Sequence, residues 1–255
     1  MLSPGATIRE AWELYKAHWQ HLMPFAFVVY VILGLVSLLL ALLLGWFGAL
    51  LGALIGIVGL FWLQGALVEA VADVRDGRAD MTMGETFSRV QPHLGRLIGA
   101  GLLAGIAISI GFLLLIVPGL YLLTIWCVIV PVIVLESRAV MDSFGRSREL
   151  VSGNGWNVFF IILLSFLILL AASIVIALLT FWLHGAFGAF VRNVVSYTIT
   201  APFVALALTV TYYRLLEIRQ PAAAAAPEAA AAPEAPATPA EPPAEEPPPP
   251  AAPPA

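Results

Sequence analysis

Histidines and buried polar residues are the side chains in this sequence that could do chemistry. His18 and His21 stand three residues apart, a spacing that places two imidazoles on one helix face, as a metal site would need. No HExxH pattern accompanies them, so we expect neither a metal nor a cofactor. Gln64 and Glu69 lie in an apolar stretch. We expect Gln64 to bridge two helices, with substrate binding as the alternative, and Glu69 to reach the interface near Asp73.

No catalytic pattern completes these candidates. The sequence has no GxSxG motif, no glycine-rich phosphate loop and no clustered acidic pair on the membrane face. Its single cysteine, Cys127, lies inside an apolar run, where a free cysteine packs as a small hydrophobe. We therefore predict that this chain is not an enzyme.

The composition indicates a membrane protein. Of the 255 residues, 61% are hydrophobic and 11% charged, whereas a soluble domain is about half apolar and about a quarter charged. No concentrated basic patch is present, which excludes a nucleic-acid partner. The first apolar run begins after about twenty mixed residues and is longer than the ~7–15 residues of a signal peptide core, so we expect it to be retained.

Long uncharged runs divide the chain into spans that can each cross a hydrocarbon core of roughly 30 Å. The predicted fold is all-α: a polytopic integral membrane bundle of six transmembrane helices with short cytoplasmic amphipathic helices, over residues 1–219. The six spans are predicted at 22–44, 49–72, 97–117, 120–135, 158–183 and 194–213. Residues 220–255 consist mostly of Ala, Pro and Glu, which predicts a disordered cytoplasmic tail.

The polar segments before each pair of spans predict short amphipathic helices. Residues 3–20 place Trp12 and Trp19 on an aromatic stripe that suits either the headgroup boundary or the protein's own cytoplasmic face. Thr82 and Glu85 form a capping-box pattern at the start of a second short helix. A third is expected within 136–156. The sequence thus predicts an architectural repeat of one short helix and one hairpin.

Glycine and proline patterns predict how the spans pack and turn. Small residues four apart allow close helix contact, and two spans carry them: Gly48, Gly52 and Gly56, and then Gly101 and Gly105. Pro118-Gly119 is expected to form the turn between the third and fourth spans. Pro131 is expected to distort the fourth span.

The basic residues predict the orientation. With six spans and a cytoplasmic N-terminus, eleven of the twelve basic residues fall on the cytoplasmic side and only Arg192 falls outside. We therefore expect both termini in the cytoplasm and, from the abundant Ala, Gly and Pro, a bacterial inner membrane.

The stretch from Ser143 to Trp156, which includes Arg146 and Arg148, is the most distinctive in the chain. Together with Leu115–Gly119 and Pro131–Glu136 it resembles the membrane domain attached to some bacterial glycerophosphoryl diester phosphodiesterases. The resemblance covers about residues 3–219. It implies a six-span body without hydrolytic activity, because in the fused enzymes hydrolysis belongs to a separate soluble barrel domain.

These patterns lead to two functional hypotheses. In the first, a non-catalytic membrane protein organises lipids, or a membrane or cytoplasmic partner protein, at its cytoplasmic rim. Arg146 and Arg148 would pair with lipid phosphates or with Glu136 and Glu149, or serve only to anchor the topology, and Trp156 would fix the depth. In the second, broken helices and a hydroxyl-rich sixth span form a transporter for small solutes or lipids. The oligomeric state stays open.

Overall fold

The computed structural model describes the backbone of residues 2–75 and 81–230 and, apart from 186, 187 and 220–230, their side chains. Every element in these ranges is helical. In chain order they are α1 Pro4–Arg75, α2 Met83–Val90, a 3-10 turn Gln91–His93, α3 Leu94–Leu114, α4 Ile116–Ile125, α5 Ile129–Glu136, α6 Val140–Val151, α7 Gly155–Leu179 and α8 Gly185–Ala230. The predicted all-α class is confirmed.

Helix α1 is interrupted twice and contains three helical segments. Non-helical backbone at His18 (φ −123°, ψ 17°) and Gly45 (φ 60°, ψ −135°) divides it into α1a (4–17), α1b (19–44) and α1c (46–75). The Gly45 conformation is one that side chains with a Cβ rarely adopt. The Ser37 hydroxyl of α1b donates to the Gly52 carbonyl of α1c, and Gly59 meets Leu33. The two segments therefore form an antiparallel hairpin.

This hairpin reconciles the number of long helices with the predicted number of spans. The described residues contain five helices long and apolar enough to cross a membrane, and α1 is counted once among them. Because α1 folds back at Gly45, it supplies two passes, and the bundle has six apolar segments. The chain is a multi-pass α-helical membrane protein.

Two predicted turns lie elsewhere in the structure. The third and fourth spans are separated by extended backbone at Leu115 (φ −164°, ψ 150°), and Pro118 lies in the first turn of α4, not in the loop. A proline lacks only an N–H that the first helical turn leaves unpaired anyway, so Pro118 is compatible with the first turn of this helix. The predicted turn at 184–193 is also wrong, since α8 begins at Gly185, where φ is +74°.

The predicted distortion near Pro131 is confirmed. The helix is broken between Ile125 and Ile129, and the break includes Cys127, whose carbonyl is four residues before Pro131. The proline ring clashes with that carbonyl in a regular helix, which explains the position of the break.

Three successive units share one plan, as the architectural repeat predicts: a short amphipathic helix followed by a hairpin of long helices. The short helices are α1a, α2 and α6. Each places an aromatic ring edge to face on the second arm of another hairpin: Tyr15 on Phe203, Phe87 on Trp62, and Phe144 on Trp126. The units therefore close into a cycle, because the first short helix packs on the last hairpin.

The two ends of the bundle differ sharply in polarity. The charged end gathers ion pairs that join distant parts of the chain, including Glu10 with Arg214 and Arg75 with Glu217. The opposite end, called the turn end here, consists of the three hairpin turns. Its exposed side chains are large and apolar, among them Trp46, Leu113, Val117, Phe181 and Trp182.

The well-packed core lies towards the charged end. Buried residues of α1c, α5 and α8, such as Leu67, Ile133 and Leu206, are covered by the short helices and by one another. Towards the turn end the long helices expose apolar side chains, as a surface in contact with acyl chains must.

Helix α8 continues past Arg219 to Ala230, so the segment predicted as a tail from residue 220 begins in a helix. Alanine has the highest helix propensity, and Ala222–Ala226 is an uninterrupted alanine run. The rest of the predicted tail, 231–255, lies outside the described residues.

Candidate functional site

A polar cluster around Glu136 lies at the charged end, and we call its five members, Glu136, Arg138, Arg146, Glu149 and Tyr212, the Glu136 cluster. The Arg146 Nε donates to both Glu136 oxygens at 3.1 Å, and the Arg138 Nε donates to Oε2 at 3.2 Å. The Tyr212 hydroxyl donates to Oε1 at 3.0 Å. This one carboxylate therefore holds together the end of α5, the short helix α6 and the long helix α8.

Within this cluster Arg146 is held by two acidic residues. Its Nη1 donates to Glu149 at 3.1 Å while its Nε contacts Glu136, and 24% of its side chain is exposed. Burial by itself lowers the pKa of Arg146, but the hydrogen bonds to Glu149 and Glu136 outweigh that effect and raise it. Of the two pairings that the sequence leaves open, the structure shows the one with carboxylates.

Arg148, two residues along α6, has a different environment. It is exposed, and no acidic side chain of the described residues lies within ion-pair distance of it. Trp156, at the start of α7, is 77% exposed. A guanidinium and an indole on the surface of a membrane protein near its charged end are the pair that lipid headgroups contact.

The two N-terminal tryptophans are each about half exposed, with 45% for Trp12 and 48% for Trp19. On the same N-terminal helix Ile8, Ala11 and Tyr15 are buried, and the Tyr15 hydroxyl donates to the Ile199 carbonyl at 3.0 Å. Helix α1a is thus packed on the protein through most of its predicted stripe. The tryptophans line the edge of that contact.

Exposed cations recur on all three short helices. Arg9 and Lys16 on α1a, Arg89 on α2 and Arg148 on α6 are all exposed, and none of them forms an ion pair with another described residue. We call the three short helices with these four side chains the cationic collar. It surrounds the packed half of the bundle, since each helix contacts a different hairpin.

The predicted packing glycines divide into two groups. A Cβ on Gly48 would overlap the backbone of α1b, one on Gly52 would lie 3.0 Å from the Ser37 Cα, and one on Gly101 would lie 2.0 Å from the Phe61 ring. A Cβ on Gly56 or on Gly105 would meet nothing within 4 Å. The packing role assigned to these last two from their spacing is therefore corrected, because among the described residues no atom of another helix lies within contact distance of either position.

The space beside Gly56 belongs to a cavity of about 810 Å³ between α1b, α1c and α8, which we call the hairpin groove. Its walls are mostly aliphatic, and its polar lining consists of Tyr30, Ser37, Gln64, Asn193, Tyr197 and Thr200. Gln64 hydrogen-bonds no other residue in the described part of the chain, so it does not form the predicted bridge between helices. Sequence reasoning identified Gln64 but not the groove, which depends on how hairpin and helix diverge.

Among the residues that the structure describes, no three His, Cys, Asp or Glu side chains lie close enough together to hold a metal ion. The His18 Nδ1 donates to the Leu14 carbonyl oxygen at 3.3 Å, and His21 lies beside Phe25. The two imidazoles thus make separate local contacts.

No protein-family model, curated protein or solved structure matches this chain. The geometry alone therefore defines its class, a polytopic α-helical membrane protein built from three repeated units.

Proposed function

We propose that this protein is a non-catalytic component of a bacterial inner membrane that gathers anionic lipids around its cationic collar, with the charged end in the cytoplasm. The observation that carries the proposal is the recurrence of exposed, unpaired cations on α1a, α2 and α6. Each such Lys or Arg near an anionic surface contributes about 1 kcal/mol of attraction. Four such cations around the perimeter of the bundle favour a ring of anionic lipids over a single bound lipid molecule.

Tryptophans support this placement. Trp12, Trp19 and Trp156 are exposed on or next to the helices that carry the cations. Indole rings prefer the headgroup level of a bilayer, so they would hold the collar at the depth where phosphates lie. The alternative ligand of the collar is a soluble partner protein. Such a partner would need a contiguous binding surface outside the bilayer, and the exposed tryptophans would then not lie in lipid.

The test compares two arginines of one helix. Purified protein is reconstituted with phosphatidylglycerol and phosphatidylcholine, and retained lipids are counted by native mass spectrometry. Arg148→Gln is expected to lower phosphatidylglycerol affinity about fivefold, the factor that corresponds to ~1 kcal/mol, and further loss is expected when Lys16→Gln and Arg89→Gln are added. Arg146→Gln is the matched control, because Arg146 already pairs with Glu136.

Unchanged phosphatidylglycerol retention in the triple variant would overturn the lipid role. The orientation is tested separately by cysteine labelling from each side of the membrane in a Cys127→Ser background. Ser88→Cys, on α2, is expected to react only from the cytoplasm, and His184→Cys, at the third hairpin turn, only from the other side. The reverse pattern would contradict the cytoplasmic placement of the charged end.

A transporter for small solutes or lipids is the second candidate, and the hairpin groove is the observation that favours it. The groove lies among the spans and has polar groups inside an aliphatic wall, which is typical of small-molecule sites. Reconstituted vesicles with labelled phospholipids test this candidate. Protein-dependent flux would support it, and the absence of such flux under a lipid gradient would exclude lipid transport.

A further inference from the structure

The hairpin groove, with a volume of about 810 Å³, lies in the half of the molecule that the cationic collar does not cover. Gln64 is eleven residues from Arg75 at the charged end, a rise of about 16 Å along the helix. That distance places the amide near the middle of a hydrocarbon core of roughly 30 Å. The groove therefore lies at membrane depth.

The residues next to its lining on α1b and α1c form an exposed apolar surface. Leu35, Leu39, Leu54 and Ile57, on the same two helices, are all more than a third exposed. At one side Phe190 of α8 packs on Gly34, where an added Cβ would lie 2.6 Å from its ring. A ligand would thus enter from the bilayer and lie between the hairpin and α8.

The polar groups of the groove are all uncharged. Tyr30 and Tyr197 stack with 5.2 Å between ring centroids, and both are groove-lining. Thr200 and Ser37 donate to carbonyls of the helices, so their hydroxyls are already engaged. Gln64 and Asn193 hydrogen-bond no other described residue, and each amide offers a donor and an acceptor.

An unpaired amide in hydrocarbon costs free energy, so a partner that restores its hydrogen bonds is favoured there. No Asp, Glu, Lys or Arg lines the groove, so nothing in its lining would neutralise a phosphate or carboxylate. A hydroxyl both donates and accepts, as these amides require. The aliphatic wall, in turn, matches an acyl or alkyl chain.

We propose that the hairpin groove binds an uncharged, hydroxyl-bearing lipid, with its hydroxyl head at Gln64 and its chain along α1b and α8. The proposal is independent of the anionic-lipid role of the cationic collar, because the two sites share no residue. A cavity of about 810 Å³ is within the range of about 300–1,000 Å³ in which proteins hold small ligands.

Gly56 provides a selective way to fill the groove. A Cβ there meets nothing within 4 Å, so Gly56→Leu places a side chain in the space of the groove. Gly105 on α3 has the same open surroundings and does not line the groove, so Gly105→Leu is the matched control. Gln64→Leu removes the amide at nearly constant size.

The experiment uses the full chain in phosphatidylcholine nanodiscs with a photoreactive, alkyne-tagged monoacylglycerol. Labelling is quantified, mapped by peptide sequencing, and compared with that by the same molecule carrying a phosphate on its glycerol. The monoacylglycerol is expected to label peptides of α1b, α1c or α8. Both Gly56→Leu and Gln64→Leu are expected to lower that labelling by about tenfold or more, and Gly105→Leu to leave it unchanged.

Two results would overturn the proposal. Equal labelling of the Gly56→Leu and Gly105→Leu proteins would show that the probe marks the general lipid surface. Equal labelling of the groove by the phosphorylated probe would show that it does not select an uncharged head. Thermal unfolding of each variant in the same nanodiscs separates lost binding from lost fold, and phosphatidylglycerol retention reports on the collar separately.

Discussion

The ring of Phe144 lies edge to face on the indole of Trp126, with 4.8 Å between ring centroids and 80° between ring planes. The same relation joins Phe87 to Trp62 at 5.2 Å and 80°. These contacts attach short amphipathic helices to long ones. Since edge-to-face pairs are worth about 0.5–1.5 kcal/mol beyond their buried area, they make a specific contribution to each attachment.

Phe144→Ala is expected to destabilise the protein by about 3 kcal/mol or more, because the variant loses both buried area and the ring contact with Trp126. Phe160→Ala on α7 serves as the comparison, since Phe160 is 49% exposed. Its effect should be well under half as large. Thermal unfolding in detergent measures both, and equal effects would contradict the importance of the α6 contact.

Gly101 and Gly105 offer a second comparison on a single helix. Gly101→Ala should destabilise the bundle by about 1–3 kcal/mol, because the new methyl would overlap the Phe61 ring. Gly105→Ala has no such neighbour and should leave stability unchanged or slightly increase it.

Replacing the opposing Phe61 ring with a smaller side chain provides the control for this overlap. Phe61→Leu in the Gly101→Ala background should recover part of the lost stability, as monitored by unfolding in detergent. If the loss of stability in the double variant equals the sum of the losses in the two single variants, the overlap is not the cause.

The Glu136 cluster predicts a strong coupling between α5 and α8. Tyr212→Phe removes the hydroxyl that donates to Glu136 and should cost about 1.5–3 kcal/mol, the range for hydrogen bonds to charged groups. In the Glu136→Gln background the same change should cost much less. A double-mutant cycle of unfolding free energies measures the difference, and additive effects would show that the two side chains act independently.

The capping box of α2 predicts a carboxyl group with a low pKa. Hydrogen bonds from the backbone and hydroxyl of Thr82 lower the pKa of Glu85 in the folded protein. Its contribution to stability is therefore present above the unfolded pKa and is lost as the pH falls through the lower folded value. Titration of the ¹³C-labelled carboxyl by NMR should show the low pKa, and Thr82→Ala should raise it. An unchanged pKa in Thr82→Ala would contradict this origin.

The long apolar runs made the membrane class and the six passes predictable, since few other structures accommodate such segments. The capping box at Thr82 and Glu85 was also predictable, because its partners are three residues apart. Such local patterns are predictable because the residues that determine the structure lie close together in the sequence.

Turn positions were less predictable. Pro118-Gly119 is a typical turn dipeptide, yet the chain turns at Leu115, and Pro118 lies in the first turn of the next helix. The residues on both sides of Leu115 and of Pro118-Gly119 are uniformly apolar, so the sequence does not indicate which of the two positions forms the turn. Tertiary packing decided the outcome.

Distant contacts could not be predicted from one sequence. The spacing of Gly48, Gly52 and Gly56 is uniform, but Gly56 faces the hairpin groove because α1b and α8 diverge there. Likewise, Arg146 and Arg148 are two residues apart, and it is contacts with Glu136 on another helix and with Glu149 that distinguish Arg146.

The apolar turn end has a consequence for how the protein enters a bilayer. The turns at Gly45 and Leu115 contain no ionisable residue, and the third contains only His184 before Arg192 on α8. During insertion, the first two hairpins can pass their tips through hydrocarbon without dehydrating a charge, which is the costliest step of translocation, whereas the third also carries Arg192. Biogenesis in three paired insertions, one per repeated unit, would require little help in carrying loops across.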